Sequence, residues 1–171
     1  RGGYRDRVFV AGNPQNQRDP FRFEMGLSPE IGAVTDRFVG PGLHVVQGVA
    51  LRKDEFADER FARAAVVHLA IPGVIDLASP ERSRLLLAAA PDAADASRGS
   101  RVSADPADYL SPADVAGFEL DADLLLLSAT GVSGSGESPF DGRLPLVSDF
   151  LAAGAAVVLF SLWPAGDDVA A

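Results

Sequence analysis

The chain of 171 residues contains no cysteine, one lysine, one methionine, one tryptophan and two histidines. Without cysteine there are no disulfides, no thiolate nucleophile and no Cys-ligated zinc or iron–sulfur centre. With His44 and His68 as the only imidazoles, a His-rich metal site cannot be assembled from this chain either, and no cofactor is expected. Positive charge is also scarce: 24 acidic residues against 15 basic ones leave a net charge of -9. Such a field repels phosphate backbones and anionic lipid headgroups, which argues against nucleic acid and membrane surfaces as partners. Long apolar runs are absent too, each being broken by charge, Gly or Pro well before the ~18 residues a membrane span needs.

What is present belongs to a globular domain. The chain is 47% hydrophobic, and at this length one domain buries roughly 70% of its unfolded surface. Residues 1–171 are therefore read as a single domain. The absence of a signal peptide and of an initiating Met points to a segment of a longer, cytoplasmic protein.

Short β-branched runs alternate with helical patterns. Arg7 to Gly12 reads as a first strand ending at Gly12-Asn13-Pro14. Ser28-Pro29-Glu30 supplies a cap, a Pro at the first helical position and an acid in the first turn of a helix running to Phe38. Gly40-Pro41-Gly42 stops it. His44 to Val49 is a second strand, and Asp54 to Ala64 a charged amphipathic helix burying Phe56 and Phe61. Ala65 to Ala70 is a third strand, ending at Pro72-Gly73, apolar almost throughout as strands covered on both faces are. Leu85 to Leu87 is a candidate short strand. Ala88 to Asp108, rich in Ala, Asp, Ser and Pro, reads as a flexible loop. A helix start at Ser111-Pro112-Ala113-Asp114 leads to a fourth strand at Leu124 to Leu127, ending in Ser128 to Gly136. A helix from Leu144 to Ala153, capped by Gly154, feeds a fifth strand from Val157 to Leu162. The alternation predicts an α/β fold with a mostly parallel sheet and helices on both faces.

Ligands of such sheets bind beyond the carboxyl ends of the strands. There stand His68-Leu69-Ala70-Ile71-Pro72-Gly73, Leu127-Ser128-Ala129-Thr130-Gly131-Val132, and Ser161-Leu162-Trp163-Pro164-Ala165-Gly166-Asp167 following the helix end at Gly154. In order and spacing these segments resemble the signature of the CHAT domain family, and Val10 to Pro14, Ser111 to Val115 and Asp123-Leu124 fit the same pattern. These are caspase-like modules of the cysteine peptidase clan that includes separase, commonly attached to tetratricopeptide repeats. The resemblance implies a caspase-like three-layer sandwich with the first four strands ordered 2-1-3-4. It also implies that the family's last helix lies beyond this segment.

Two departures decide the functional expectation. The family pattern His-Phe-Ala-Thr-His-Gly places its catalytic base where this chain has Pro72. The pattern Leu-Ser-Ala-Cys-Glu-Thr places its nucleophile where this chain has Thr130. A Thr hydroxyl needs a base to become a nucleophile, and Pro72 carries no titratable group. His68 shares strand parity with Pro72 but lies about 13 Å further down the strand, which makes it a satisfied core histidine. His44, in the second strand, is read the same way or as a surface residue. The expectation is thus a catalytically inactive pseudo-peptidase that binds a protein or peptide through a cleft formed by Gly73, Ser128, Ala129, Gly131 and Asp167. The resemblance makes Asp167 an acidic pocket residue able to receive a basic side chain, with Trp163 packed beneath; otherwise Asp167 and Asp168 are plain surface acids. Two alternatives stand: a hydrolase using Thr130 or a Ser of the Gly-rich loop, and a nucleotide-binding module using Gly131 to Gly136. No Lys follows that loop, since the only one is Lys53, so a plain turn is the simpler reading.

Overall fold

A computed structural model describes residues 7–14, 27–76, 78–88, 106–133 and 144–160. Its centre is a seven-stranded sheet. Strand β1 (Val8–Pro14) lies between β2 (Leu43–Gly48) and β3 (Val66–Asp76), parallel to both. On the other side of β3 come β6 (Leu124–Ser133) and then β7 (Val158–Phe160), again parallel. The five strands read from the sequence therefore form a parallel block in which the first four take the order 2-1-3-4. Two short antiparallel strands complete the sheet: β4 (Arg84–Leu86), the candidate strand expected at Leu85 to Leu87, runs antiparallel to β3, and β5 (Tyr109–Leu110), which was not expected, runs antiparallel to β4. β1 accompanies β3 only as far as Ala70, after which β4 takes over that flank at Gly73 and Val74.

Side-chain alternation assigns each strand a face. Val8, Val10 and Ala70 point to one side, where they pack on Ile31 of helix α1 (Leu27–Arg37). Phe9, Ala11, Val67, Leu69, Ile71, Leu125 and Leu127 point to the other. There they meet Phe56, Phe61 of α2 (Glu59–Ala62), Val115 of α3 (Pro112–Val115) and Phe150 of α4 (Val147–Ala152). Edge-to-face contacts join Phe61 to Phe9, Phe56 and Phe118 at 5.1, 5.1 and 5.2 Å between ring centroids, an arrangement that adds to the burial of large apolar rings. Helices cover both faces, as the parallel order requires.

Several boundaries differ from expectation. The helix expected over Asp54 to Ala64 is a 3-10 turn (Lys53–Ala57) followed by the four-residue α2. Asp58 is extended (φ -72, ψ 139) and its carboxylate caps Arg60 N–H at 2.7 Å, because a short acid that captures a nearby backbone N–H starts a helix better than it continues one. Helix α4 starts at Val147 rather than Leu144, after a turn in which Leu146 takes φ 65. β3 does not end at Pro72-Gly73 but continues to Asp76, and β6 accompanies it past Ser128 to Ser133. The loop expected over Ala88 to Asp108 is ordered at both ends: Ala88 is buried, with its N–H on Leu51 O at 2.8 Å, and Pro106–Asp108 form a 3-10 turn. Residues 89–105 lie outside the described residues. No helix among the described residues is long and apolar enough to cross a membrane.

Candidate functional site

The carboxyl ends of β3 and β6 lie side by side. Their register runs without interruption from Val66↔Leu124 to Ala70↔Ser128, slips by one residue, and resumes at Gly73↔Thr130, Val74↔Gly131 and on to Asp76↔Ser133. Ile71 and Pro72 thus stand against Ala129 alone. A proline has no N–H to give to a ladder and is tolerated inside a sheet at such an irregularity. Both residues are buried. The strand can pass through Pro72 because the slip exempts that position from pairing. Thr130 is therefore the direct neighbour of Gly73 and one residue removed from Pro72 on the adjoining strand.

Gly73 is flanked by backbone on both sides, by Thr130 of β6 and by Leu85 of β4. A Cβ at this position would come within 2.6 Å of Arg84 O and 2.8 Å of the Leu85 side chain. Only glycine lets β4 approach that closely. Gly131 continues the pairing opposite Val74. Asp167, Trp163 and the loop residues Gly134 and Gly136 lie outside the described residues.

Below this edge lies a buried polar cluster. His68 is 4% exposed and Glu30 5% exposed. His68 Nε2 is 2.8 Å from Glu30 Oε1 and 3.2 Å from Ser128 Oγ. A carboxylate only accepts, so Nε2 carries a hydrogen and donates it to Glu30, with the Ser128 hydroxyl oxygen sharing the same donor. One imidazole thereby ties helix α1, strand β3 and strand β6 together. The residue types match a Ser-His-acid relay, but the connectivity does not. A relay places the acid on one ring nitrogen and the hydroxyl on the other, so that the acid orients the ring while the second nitrogen takes the proton. Here both partners meet the same nitrogen, inside the protein. The cluster joins three elements of the fold and lacks the connectivity of such a relay.

Over residues 3–171 the chain matches the CHAT domain family. The chain belongs to that family. CHAT domains are homologues of caspase-like peptidases, so the parallel sheet and its carboxyl edge are those of a peptidase-like module. No curated protein matches the chain.

His68 is where its distance down the strand led one to expect it, in the sheet interior and satisfied. Its partner Glu30 appeared in the sequence only as a first-turn acid. The signal lay in the helical spacing: Glu30 stands one before Ile31 and four before Val34, on the margin of the stripe that packs on the sheet. An acid on that margin and a histidine on the α1 face of an apolar strand are each anomalous alone. Together they describe a buried pair. Ser128, assigned to the cleft, has its hydroxyl within reach of His68. Among the described residues there is no group of three His, Cys, Asp or Glu side chains able to hold a metal.

Proposed function

We propose that this CHAT domain is a peptidase-fold module without peptidase chemistry, which binds a protein or peptide as a regulatory part of a larger, cytoplasmic chain that carries tetratricopeptide or similar repeats. The observation that carries the reading is the juxtaposition at the ends of β3 and β6. The positions that the family pattern gives to its base and its nucleophile are Pro72 and Thr130, and the register sets them on adjoining strands one residue apart. Pro72 offers no proton acceptor, and a threonine hydroxyl beside it stays protonated and weakly nucleophilic. The cleft residues would be Gly73, Ser128, Ala129, Gly131 and Asp167. A carboxylate at Asp167 favours a partner that presents arginine or lysine.

The chain's lack of cysteine makes the test clean, because Thr130→Cys introduces the only thiol. The wild-type protein is expected to turn over neither peptide nor ester substrates. The single variant is expected to react with alkylating reagents but not to cleave, since Pro72, at the position the family pattern gives to the base, can neither accept the thiol's proton nor lower its pKa. Adding Pro72→His is expected to restore labelling by an arginine-based, cysteine-directed probe, and Asp167→Ala to abolish the preference for a basic residue. Steady wild-type turnover would overturn the reading in favour of a hydrolase using Thr130 or a loop serine. A thermal shift with ATP or GTP would favour the nucleotide-binding alternative through Gly131 to Gly136. A folded double variant that neither cleaves nor takes the probe would show that the cleft roles are wrong.

A further inference from the structure

The chain's other histidine lies at the far edge of the sheet. His44 belongs to β2, which pairs only with β1 among the described residues. Its ring packs tilted against Phe9, with centroids 5.3 Å apart. Arg60 Nη1 lies 3.1 Å from His44 Nδ1. A guanidinium can only donate, so Nδ1 is the acceptor and the neutral ring carries its hydrogen on Nε2. That Nε2 is buried and has no hydrogen-bond partner among the described residues. The Glu55 carboxylate stands 4.0 Å from it, outside hydrogen-bond reach but close enough to attract a charge. Arg60 is held from behind by Asp58, with Nε on Oδ1 at 2.9 Å and Nη2 on Oδ2 at 2.6 Å.

We propose that His44 is a proton-operated latch between the edge strand β2 and helix α2, closed on Arg60 when the ring is neutral and transferred to Glu55 when it is protonated. A proton on Nδ1 would set two donors and two positive charges face to face at 3.1 Å, so the Arg60 contact opens. The same proton makes the orphaned Nε2–H part of a cation facing the Glu55 carboxylate, which draws in. Both halves of the switch follow from geometry alone.

The charged groups facing the ring among the described residues are Arg60, Asp58 and Glu55. Burial and then Arg60 oppose the cation, Asp58 and Glu55 favour it, and the balance sets the His44 pKa below its ordinary value of 6.5. The latch is therefore closed at neutral pH and opens on acidification. Because β2 pairs with β1 alone among the described residues, the opening is local and does not require the sheet to unfold.

The test is an NMR titration of the full chain over roughly pH 4.5 to 8, the range in which histidine changes charge. Only two imidazoles contribute, and His44→Gln identifies the signal. The expected result is a His44 midpoint below 6.5, an Arg60 side-chain N–H signal that moves with that midpoint, and a loss of amide protection in β2, measured against the intrinsic exchange rate at each pH, that follows the same midpoint and is absent in His44→Gln. Arg60→Gln should raise the midpoint and Glu55→Gln should lower it further. The Arg60 side chain is 59% exposed and Glu55 32% exposed, so both variants keep the fold. A midpoint at or above 6.5, an Arg60 signal that ignores the titration, or a midpoint unmoved by either substitution overturns the proposal.

Discussion

Replacing His68 by leucine tests the buried cluster most sharply. The substitution keeps side-chain bulk while removing the donor that meets Glu30 at 2.8 Å, and the Glu30 side chain, 7% exposed, has little water to turn to. Breaking a buried pair by deleting one member typically costs about 3–5 kcal/mol, because the remaining charge is left uncompensated. That is a large part of the roughly 5–15 kcal/mol that holds a domain folded. With a urea m-value of about 2 kcal/mol/M, the unfolding midpoint should fall by about 2 M. Glu30→Leu leaves the imidazole with only Ser128 Oγ in place of its carboxylate partner and should cost less, about 1–3 kcal/mol for an incompletely satisfied polar group. The double variant Glu30→Leu/His68→Leu replaces a polar cluster by apolar packing between α1 and the sheet. It should be more stable than His68→Leu alone, close to wild type or above it. Urea unfolding of the four proteins, followed by circular dichroism, forms a double-mutant cycle. A His68→Leu midpoint within about 0.3 M of wild type, or strictly additive losses in the double variant, would refute the view that the two residues act as one buried unit.

Two further outcomes follow from local geometry. Gly154 has φ +117, and a Cβ there would sit 2.2 Å from Leu120 O, so Gly154→Ala should lower thermal stability by several kcal/mol through backbone strain and a forced shift of the chain entering β7. Lys53→Met removes the contact of Nζ with Asp114 Oδ1 at 2.7 Å and with Pro106 O at 3.1 Å; the pair is partly solvated, so about 1 kcal/mol is expected at pH 7. Burial opposes the Asp114 charge, but hydrogen bonds from Lys53 and from Ser111 outweigh it and hold its carboxyl below its ordinary 3.8. A carboxyl depressed in the folded state stabilises above the unfolded pKa, and that stability is lost as pH falls through the folded value. The gap between Lys53→Met and wild type, read from thermal unfolding, should therefore narrow below pH 3.8 to what the Pro106 contact contributes.

The parallel block was legible because each of its strands contains a compact apolar run, β-branched in most and leucine in β6, separated from the next by helical patterns and by Gly, Pro or cap residues. The pairing of β4 and β5 was not. Three residues at Arg84–Leu86 and two at Tyr109–Leu110 are too few for periodicity to register, and their pairing depends on the bare Cα of Gly73 and on β1 ending early. The continuation of β3 through Pro72 was hidden for a related reason. In one dimension Pro-Gly is a stop signal, and only the neighbouring strand reveals that the register slips there and lets the chain continue. The Asp54 to Ala64 error has the opposite cause. The apolar spacing of Phe56 and Phe61 was right, but Asp58 offered its backbone neighbours a cap in mid-pattern and divided the helix in two. In the site, distance down the strand placed His68 correctly, whereas Glu30 and His68, 38 residues apart, could be joined only by the packing of α1 on β3.

These contacts also bear on how a peptidase-like edge keeps its outline where Pro72 and Thr130 stand in place of the residue types of the family pattern, as the proposed loss of chemistry requires. The residues of the family pattern that this chain retains near the edge each have work in the sheet. Gly73 admits β4, where any Cβ would strike Arg84 O at 2.6 Å. His68 and Ser128 meet over Glu30 and join β3, β6 and α1. Substituting any of them strains backbone or strands a buried polar group, so their cost falls on stability whether or not a substrate is ever cleaved. Pro72 stands at the slip, where no ladder hydrogen bond is asked of it, and there a residue without an N–H costs the sheet nothing. By the same reasoning, Pro72→His in the proposed test has a cost to overcome: the position is buried and the pairing with β6 offers the restored N–H no partner, so the variant should lose stability by about 1–3 kcal/mol, and thermal unfolding must show that it folds before its labelling is read. Stability thus constrains the frame of the edge more tightly than the position facing Thr130, which is why the frame can persist while the position assigned to the base is free to change.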